Sequence, residues 1–263
     1  MMLEITGKDN KTLKLIRGLK KKNNRSEQGK FVAEGKRLAL EAFEYVPRDI
    51  YCTVVTREFL EKEAAIVDRA ESLCDKVFVV SEQMFDDISD TDTPQGILTV
   101  INMTAKDFAL SENMRDIVIL DGVSEPGNMG TVIRTAEALG FDGIYLMKGC
   151  ADIYSSKTVR ATMGSVFRMK FKTGCEMSDV EELQKRGFTV ISTTPGGNTV
   201  LEELSVRGRT ALVIGNEAHG VCSKMLEISD LRVKITMEGL AESLNAAVAA
   251  GIAMHWIKNC RAE

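Results

Sequence analysis

Short apolar segments alternate with helical patterns along most of this chain, and this alternation restricts the possible folds most strongly. Between residues 30 and 101 the apolar segments are KFVAEG, YCTVV, VFVV and GILTVI. A second series of predicted strands covers 117–120, 143–147, 188–193, 211–215 and 232–235. Nearly continuous apolar strands separated by helices are typical of a parallel sheet that is covered on both faces. The sequence therefore predicts an α/β protein.

A polar stretch with weak periodicity, residues 102–115, separates the two series. We interpret this stretch as a linker between a smaller α/β domain at 28–101 and a larger one at 116–263. Residues 1–27 precede both domains as a lysine-rich arm with helical spacing of its apolar residues. A chain of 263 residues is long enough for two domains that each have a core.

Charge is distributed unevenly along the chain. The net charge of −4 by itself argues against a nucleic-acid ligand. Residues 1–37 nevertheless contain eleven basic and four acidic side chains, whereas the remainder of the chain is acidic. This asymmetry indicates either a basic arm that docks on a polyanion or a solvated helix face, and charge alone does not separate the two.

The cysteine, histidine and hydropathy patterns argue against several classes of protein. The six cysteines are at least 22 residues apart and the chain has two histidines, so no zinc-ligand spacing is present. No apolar run reaches the roughly 18 residues of a membrane span. The lysine-rich start also lacks the apolar core of a secretory signal. We therefore expect a cytoplasmic protein with reduced thiols and with neither a metal nor a membrane partner.

Three loops that follow predicted strands contain more glycines and polar side chains than ordinary turns need. Ligands of parallel sheets bind at the carboxyl ends of the strands, which makes such loops informative. The first loop, DGVSEPGNMGTVIRTAEALG, places Asn128 and several glycines at a strand-to-helix junction suited to an anion. Arg134 follows about one and a half helical turns later. Its guanidinium either grips a phosphate or forms a surface salt bridge.

The second loop, LVIGNEAHGV, has Glu217 between Gly215 and Gly220. Its glycine spacing is similar to that of a P-loop, but valine and cysteine stand where lysine and serine or threonine are required, which argues against ATP. The third loop leads into the small-residue stretch SLNAAVAAGIAMHW. It predicts a helix over 243–257 with Ser243 as its N-cap. Such a helix packs closely either in a core or against a second subunit.

Together the three loops resemble the motifs of the SpoU (TrmH) family of RNA ribose 2′-O-methyltransferases. They resemble the family's N-x-G-x-x-x-R-T-A and G-x-E-x-x-G motifs and its S-L-N helix start. The matching residues are Asn128, Gly130, Arg134, Thr135, Ala136, Gly215, Glu217, Gly220, Ser243, Leu244 and Asn245. The segment SSKTVRATMGSVFR is also similar to the family, and residues 28–101 resemble its substrate-binding domain. The resemblance covers nearly the whole chain.

The resemblance implies a methyltransferase domain whose parallel sheet is threaded into a deep trefoil knot, preceded by a smaller RNA-binding domain. It further implies S-adenosylmethionine as cofactor, a homodimer with active sites at its interface, and an RNA substrate, with ribosomal RNA favoured over transfer RNA. The implied catalytic residues are Arg134, Asn128, Glu217, Ser243 and Asn245. The implied cofactor contacts, made mainly by backbone, are Thr193, Gly215, Ile235, Met237 and Leu244.

The family's arginine is credited with activating the ribose hydroxyl. A guanidinium is a poor base, however, because it stays protonated at neutral pH and has no free site for the proton. We therefore interpret Arg134 as the group that holds the target phosphate and stabilises developing alkoxide charge. Two alternatives stay open: a catalytically silent RNA-binding protein of the same fold, and a methyltransferase that acts on a base. The presence of Arg134, Glu217 and Asn245 argues against the first alternative. The Ser-Leu-Asn helix start and the Asn-x-Gly-x-x-x-Arg loop favour methylation of ribose over that of a base.

Overall fold

The computed structural model describes residues 2–103 and 108–260, and the chain forms two compact units. The first consists of Met1–Ala105 together with Asp152–Arg168, and the second of Lys106–Ala151 together with Met169–Glu263. Part of the predicted linker, residues 104–107, lies outside the described residues. Within the described ranges, no helix is long and apolar enough to cross a membrane.

The first unit is built on a mixed sheet of the strands β1 (Met2–Glu4), β2 (Lys30–Glu34), β3 (Ile50–Thr56), β4 (Val77–Val80) and β5 (Ile97–Asn102). Their order in the sheet is β1-β4-β3-β5-β2. Its helices before residue 103 are α1 (Lys11–Gly18), α2 (Lys22–Gln28), α3 (Lys36–Tyr45), α4 (Arg57–Lys62), α5 (Ala64–Leu73) and α6 (Glu82–Ile88). Strand β5 runs antiparallel to both of its neighbours, and the other pairs are parallel.

The basic N-terminal segment is folded into this unit. Strand β1 pairs with β4, and Leu13, Ile16 and Leu19 are buried in a core cluster that includes residues of β3, β4 and β5. The lysines at 11, 14 and 20 are exposed. Apolar residues at helical spacing bury one face of α1 and leave its basic face in solvent. Residues 2–28 are therefore a packed layer with a basic outer surface, rather than a detached arm.

Residues 152–168 pack with the first unit although they come later in the chain. Their helix α8 (Ser156–Thr162) lies against β2. Asp152 forms a 2.5 Å ion pair with the buried Arg25, and the ring of Phe31 lies 4.7 Å from that of Tyr154. Helical periodicity predicts a helix but not the sheet on which it packs, so the sequence did not indicate this association.

The second unit contains a sheet of the strands β6 (Asp116–Asp121), β7 (Gly143–Met147), β8 (Phe171–Cys175), β9 (Phe188–Thr193), β10 (Thr199–Val200), β11 (Arg209–Gly215) and β12 (Leu231–Lys234). Their order is β10-β12-β9-β11-β6-β7-β8, and all neighbouring strands are parallel. The predicted α/β fold with a parallel sheet is confirmed. The edge strands β8 and β10 were not predicted, because they lack the continuous apolar runs of the central strands.

The helices of the second unit are α7 (Pro126–Ala138), α9 (Met177–Lys185), α10 (Ser223–Ile228) and α11 (Ala246–Asn259). Helices α7 and α11 pack against each other. The prediction that Ser243 caps α11 is wrong. The N-cap is Asn245, whose Oδ1 accepts hydrogen bonds from the amides of Ala247 at 2.9 Å and Val248 at 3.3 Å. A cap must reach the second or third helical amide, and Ser243 lies too early for a helix that starts at Ala246.

Candidate active site

A cavity of about 410 Å³ lies at the carboxyl ends of β9, β11 and β12. Its volume falls within the roughly 300–1,000 Å³ that is typical of small-molecule sites. The loops after these strands supply its walls, as expected for a parallel sheet. The residues predicted to contact the cofactor all line it: Thr193, Gly215, Ile235, Met237 and Leu244.

Gly215 is required by the turn that forms one wall of this cavity. A Cβ atom there would lie 2.2 Å from the carbonyl carbon of Gly220 and from the amide nitrogen of Val221. The close approach lets the chain fold back, so that Asn216 and Gly220 exchange two backbone hydrogen bonds of 2.9 Å. The side chain of Asn216 also donates to the carbonyl of Gly122 at 2.8 Å, which connects this turn to the first loop.

Glu217, Asn128 and Asn245 form a hydrogen-bonded chain that joins all three loops. The Nδ2 group of Asn128 donates to Glu217 Oε1 at 3.0 Å. The Nδ2 group of Asn245 donates to Asn128 Oδ1 at 2.9 Å. Glu217 Oε2 accepts from the amide and hydroxyl of Ser124, both at 3.1 Å, and the amide of Glu125 donates to Oε1 at 3.0 Å. Three motif residues that are far apart in sequence therefore meet at one point.

The ionisation of Glu217 follows from these contacts. Burial by itself raises the pKa of its carboxyl. The hydrogen bonds from Asn128, from Ser124 and from nearby backbone amides together outweigh this effect and hold the pKa at about 2. The group is therefore a carboxylate at neutral pH, and several donors occupy its oxygens. Such a carboxylate orients its donors and is a very weak proton acceptor.

Replacing Glu217 by glutamine is expected to destabilise the protein by up to about 1 kcal/mol at pH 7, because its donors are left poorly matched but solvent screens this exposed carboxylate. The folded-state pKa of about 2 lies below the ordinary value of 4.5. The stabilisation is therefore complete above pH 4.5 and is lost as the pH falls towards 2. Urea unfolding of both proteins between pH 3 and 7 measures the difference.

Glu181, which is exposed on α9, offers a matched control. Its replacement by glutamine should leave the free energy of unfolding nearly unchanged at every pH. The free energy of unfolding of the unaltered protein and that of Glu217→Gln should differ less at pH 3 than at pH 7. A difference that stays constant over this range would contradict the assignment of the carboxylate as the stabilising form.

Glu125 and Ser124 belong to the polar cluster but were not predicted as site residues. Glu125 is the N-cap of α7, and its side chain accepts hydrogen bonds from the amides of Gly127 and Asn128. Ser124 contributes mainly through its position, which aims its amide at Glu217. An acidic residue immediately before Pro126 is a recognisable helix-start signal, and it could have identified this cap.

The remaining predicted catalytic residues lie in different surroundings. Ser243 lines the cavity. Arg134 is exposed on α7, about 9 Å along the helix axis from Asn128, and it is not among the residues that line the cavity. Within residues 2–103 and 108–260, its guanidinium makes no hydrogen bond or ion pair, so it is available to a ligand. The described residues contain no cluster of His, Cys, Asp and Glu able to hold a metal ion.

Two family models match the chain. The model of the SpoU rRNA Methylase family matches residues 116–255, and that of the MRM3-like substrate binding domain matches residues 10–99. The chain is 32% identical over 257 residues to the 23S rRNA (guanosine(2553)-2'-O)-methyltransferase RlmP of Bacillus subtilis, covering 98% of this chain and 100% of that protein.

Solved structures agree with these matches. The AdoMet-bound rRNA methyltransferase from Sinorhizobium meliloti superposes with a TM-score of 0.84 at 30% identity, covering 97% of each chain. The SpoU methyltransferase AviRb from Streptomyces viridochromogenes, in complex with AdoMet, shares the fold with a TM-score of 0.82 at 24% identity, covering 95% of this chain and 97% of that one. The predicted resemblance is confirmed, and the chain belongs to the SpoU rRNA methylase family.

Proposed function

We propose that the protein transfers a methyl group from S-adenosylmethionine to a ribose 2′-hydroxyl of ribosomal RNA. The observation that carries this proposal is the hydrogen-bonded chain Glu217–Asn128–Asn245, which joins the three motif loops beside the cavity. The Bacillus relative is by name a 2′-O-methyltransferase of 23S rRNA, which favours ribosomal over transfer RNA. The Sinorhizobium relative was crystallised with AdoMet bound.

The residues present fit this cofactor. Aliphatic side chains of Ile235, Met237 and Leu244 line the cavity and suit the flat faces of an adenine ring. Thr193 and Gly215 end their strands there, where main-chain groups are available for hydrogen bonds. When bound, the cofactor supplies a methyl group on a positively charged sulfur.

The protein's part in the reaction is to orient the two partners and to stabilise charge. An in-line displacement requires the 2′-oxygen to approach the methyl carbon to about 3–3.5 Å. Asn128 is held through both ends of its amide, which makes it a rigid positioning group for the first loop. Arg134 holds the target phosphate and stabilises the developing negative charge on the ribose oxygen. Because Glu217 is a very weak base, the hydroxyl proton leaves late, to solvent or to phosphate.

Methyl transfer from labelled S-adenosylmethionine to unmodified ribosomal RNA tests the function. Nucleoside analysis should recover the label as a 2′-O-methylnucleoside. A 2′-O-methyl group also blocks nuclease cleavage of the RNA at the linkage of the modified nucleotide. Label in a methylated base would instead support the alternative of base methylation. RNA binding without label in any RNA would support the catalytically silent alternative.

We further propose a division of labour along the chain, with residues 28–101 and the basic segment 1–27 choosing the RNA and residues 116–263 carrying the reaction. The two family models support it, since they match separate ranges. The exposed lysines of α1 and α2 supply phosphate contacts, so RNA binding should weaken steeply with salt. Structured RNA would be read by shape and by exposed bases.

We also propose that the protein works as a homodimer with active sites at the interface. Support comes from α11, where Val248 is 51% exposed and Ile252 is 40% exposed, one helical turn apart on the same face. Paired apolar side chains in solvent on one helix face are typical of an interaction surface. Arg134 lies outside the cavity of its own chain, which is consistent with a site completed at an interface.

The double variant Val248→Glu/Ile252→Glu is therefore expected to be monomeric and to lose most of its methyl transfer. Sedimentation velocity gives the mass, and circular dichroism checks the fold. Leu3→Glu on β1 is a matched control, since Leu3 is also exposed, at 46%, and should leave the dimer intact. A monomeric unaltered protein would contradict the proposal.

We also propose that the methyltransferase domain contains a trefoil knot and that the protein is cytoplasmic. In support of the knot, β11 lies between β9 and β6 although it follows both in sequence, and α11 returns from β12 to pack on α7 and β11. In support of the location, none of the six cysteines, all of which lie in the described ranges, forms a disulfide, as expected in a reducing compartment.

A further inference from the structure

We propose that His219 binds the α-carboxylate of S-adenosylmethionine and thereby lets the protein discriminate this cofactor from analogues that lack the carboxylate. The inference deepens the proposed function and rests on it. It concerns a residue that lies between the motif positions Glu217 and Gly220 and that the mechanism does not use.

The charges of the side chains that line the cavity identify His219 as the partner for an anionic group. Among the described residues, Glu217 and His219 are the side chains on its wall that can carry a charge near neutral pH. Glu217 is already engaged by several donors. The lining residues from the loop after β9 and from the third loop carry no charge. An anionic group that enters this cavity therefore has one candidate for a positively charged side-chain partner.

The backbone at His219 is fixed before any ligand arrives. Asn216 Oδ1 accepts hydrogen bonds from the amides of Ala218 at 2.9 Å and His219 at 3.1 Å. The two backbone hydrogen bonds between Asn216 and Gly220 close the turn around them. Gly220 adopts a φ of 68°, a conformation that favours glycine. A turn held in this way presents its side chain at the cavity at little entropic cost on binding.

The imidazole of His219 is free to bind a ligand. The residue is exposed, and within the described residues its ring forms no hydrogen bond or ion pair. A protonated imidazole donates hydrogen bonds from both ring nitrogens. A charge-assisted hydrogen bond to a carboxylate is about twice as strong as a neutral one.

The chemistry of the cofactor matches this arrangement. Its adenosine portion suits the aliphatic wall formed by Ile235, Met237 and Leu244. Its amino-acid portion carries a carboxylate, and His219 is the side chain of the second loop that offers this group a cationic partner. S-adenosylmethionine should therefore bind more tightly than an analogue that lacks the carboxylate.

The test compares two ligands that differ only in the carboxylate: S-adenosylmethionine and decarboxylated S-adenosylmethionine. Titration calorimetry without RNA measures both at pH 6, where the amines of both ligands are protonated, with the full chain, with His219→Asn and with His255→Asn. His255 is the other histidine of the chain and does not line the cavity. We expect the unaltered protein and His255→Asn to bind S-adenosylmethionine roughly fivefold more tightly than the decarboxylated ligand, the effect of a partly exposed ion pair. His219→Asn should lose this preference.

Decarboxylated S-adenosylmethionine should bind all three proteins with the same affinity, and its unchanged affinity for His219→Asn would show that the variant is folded. Either of two results would overturn the inference: His219→Asn keeps the unaltered protein's preference for the ligand with the carboxylate, or the unaltered protein shows no such preference. If the unaltered protein binds neither ligand, the proposed function fails as well, so the two failures are distinguishable.

Discussion

Arg134→Ala should lower the rate of methyl transfer at least about a hundredfold, because loss of a group that stabilises transition-state charge has effects of this size. The affinity for S-adenosylmethionine should stay unchanged, since Arg134 does not line the cavity. Stability should also change little, because the guanidinium forms no hydrogen bond or ion pair within the described part of the chain. Single-turnover methyl transfer and titration calorimetry measure the two quantities separately.

Two further variants make this experiment specific. Arg207 is also an exposed arginine of the second unit, and Arg207→Ala should keep full activity. Arg134→Lys keeps the charge but loses the planar fork that binds a phosphate through two hydrogen bonds, so it should recover only part of the rate. Near-normal turnover by Arg134→Ala would show that the arginine has no part in the reaction.

Gly215→Val should weaken S-adenosylmethionine binding more than tenfold and destabilise the protein by about 3 kcal/mol or more, because the new side chain has no space. Its Cβ would lie 2.2 Å from backbone atoms of Gly220 and Val221, and backbone cannot rotate away as a side chain does. The turn that carries Glu217 would have to open. Calorimetric titration gives the affinity, and urea unfolding gives the stability.

Gly215→Ala is the milder variant if Gly215→Val does not fold, and it should show the same two effects. Gly196→Ala is the matched control, because a Cβ there would meet no heavy atom within 4 Å. Both affinity and stability should be unaffected in this control. Unchanged cofactor affinity in Gly215→Ala would disprove the requirement for close approach of the two chain segments.

The main elements of the second unit were predictable from local patterns. The central strands β6, β7, β9 and β11 are continuous apolar runs, and such runs identify buried strands with little help from the rest of the chain. The start of α11 was misplaced by a few residues. Ser243 and Asn245 are both good capping residues, and only the path of the third loop decides which one meets the helix amides.

The side chains of the candidate site were predictable as residues but not as an arrangement. The motifs identify Asn128, Glu217 and Asn245, yet no local pattern indicates that one asparagine bridges the other two. The low pKa of Glu217 depends on donors from a loop about 90 residues earlier in the chain. Contacts over such separations depend on the order of strands in the sheet, which the periodicity of single strands does not encode.

The amino-acid sequence alone was sufficient for the α/β class, the approximate strands and the family motifs, because these depend on residues close together in the chain. The tertiary structure decided which side chains meet. It placed residues 152–168 with the first unit, closed the turn over Gly215 and left the imidazole of His219 free at the cavity. Each of these outcomes depends on packing between distant segments, where burial and steric exclusion act on pairs of surfaces rather than on one stretch of sequence.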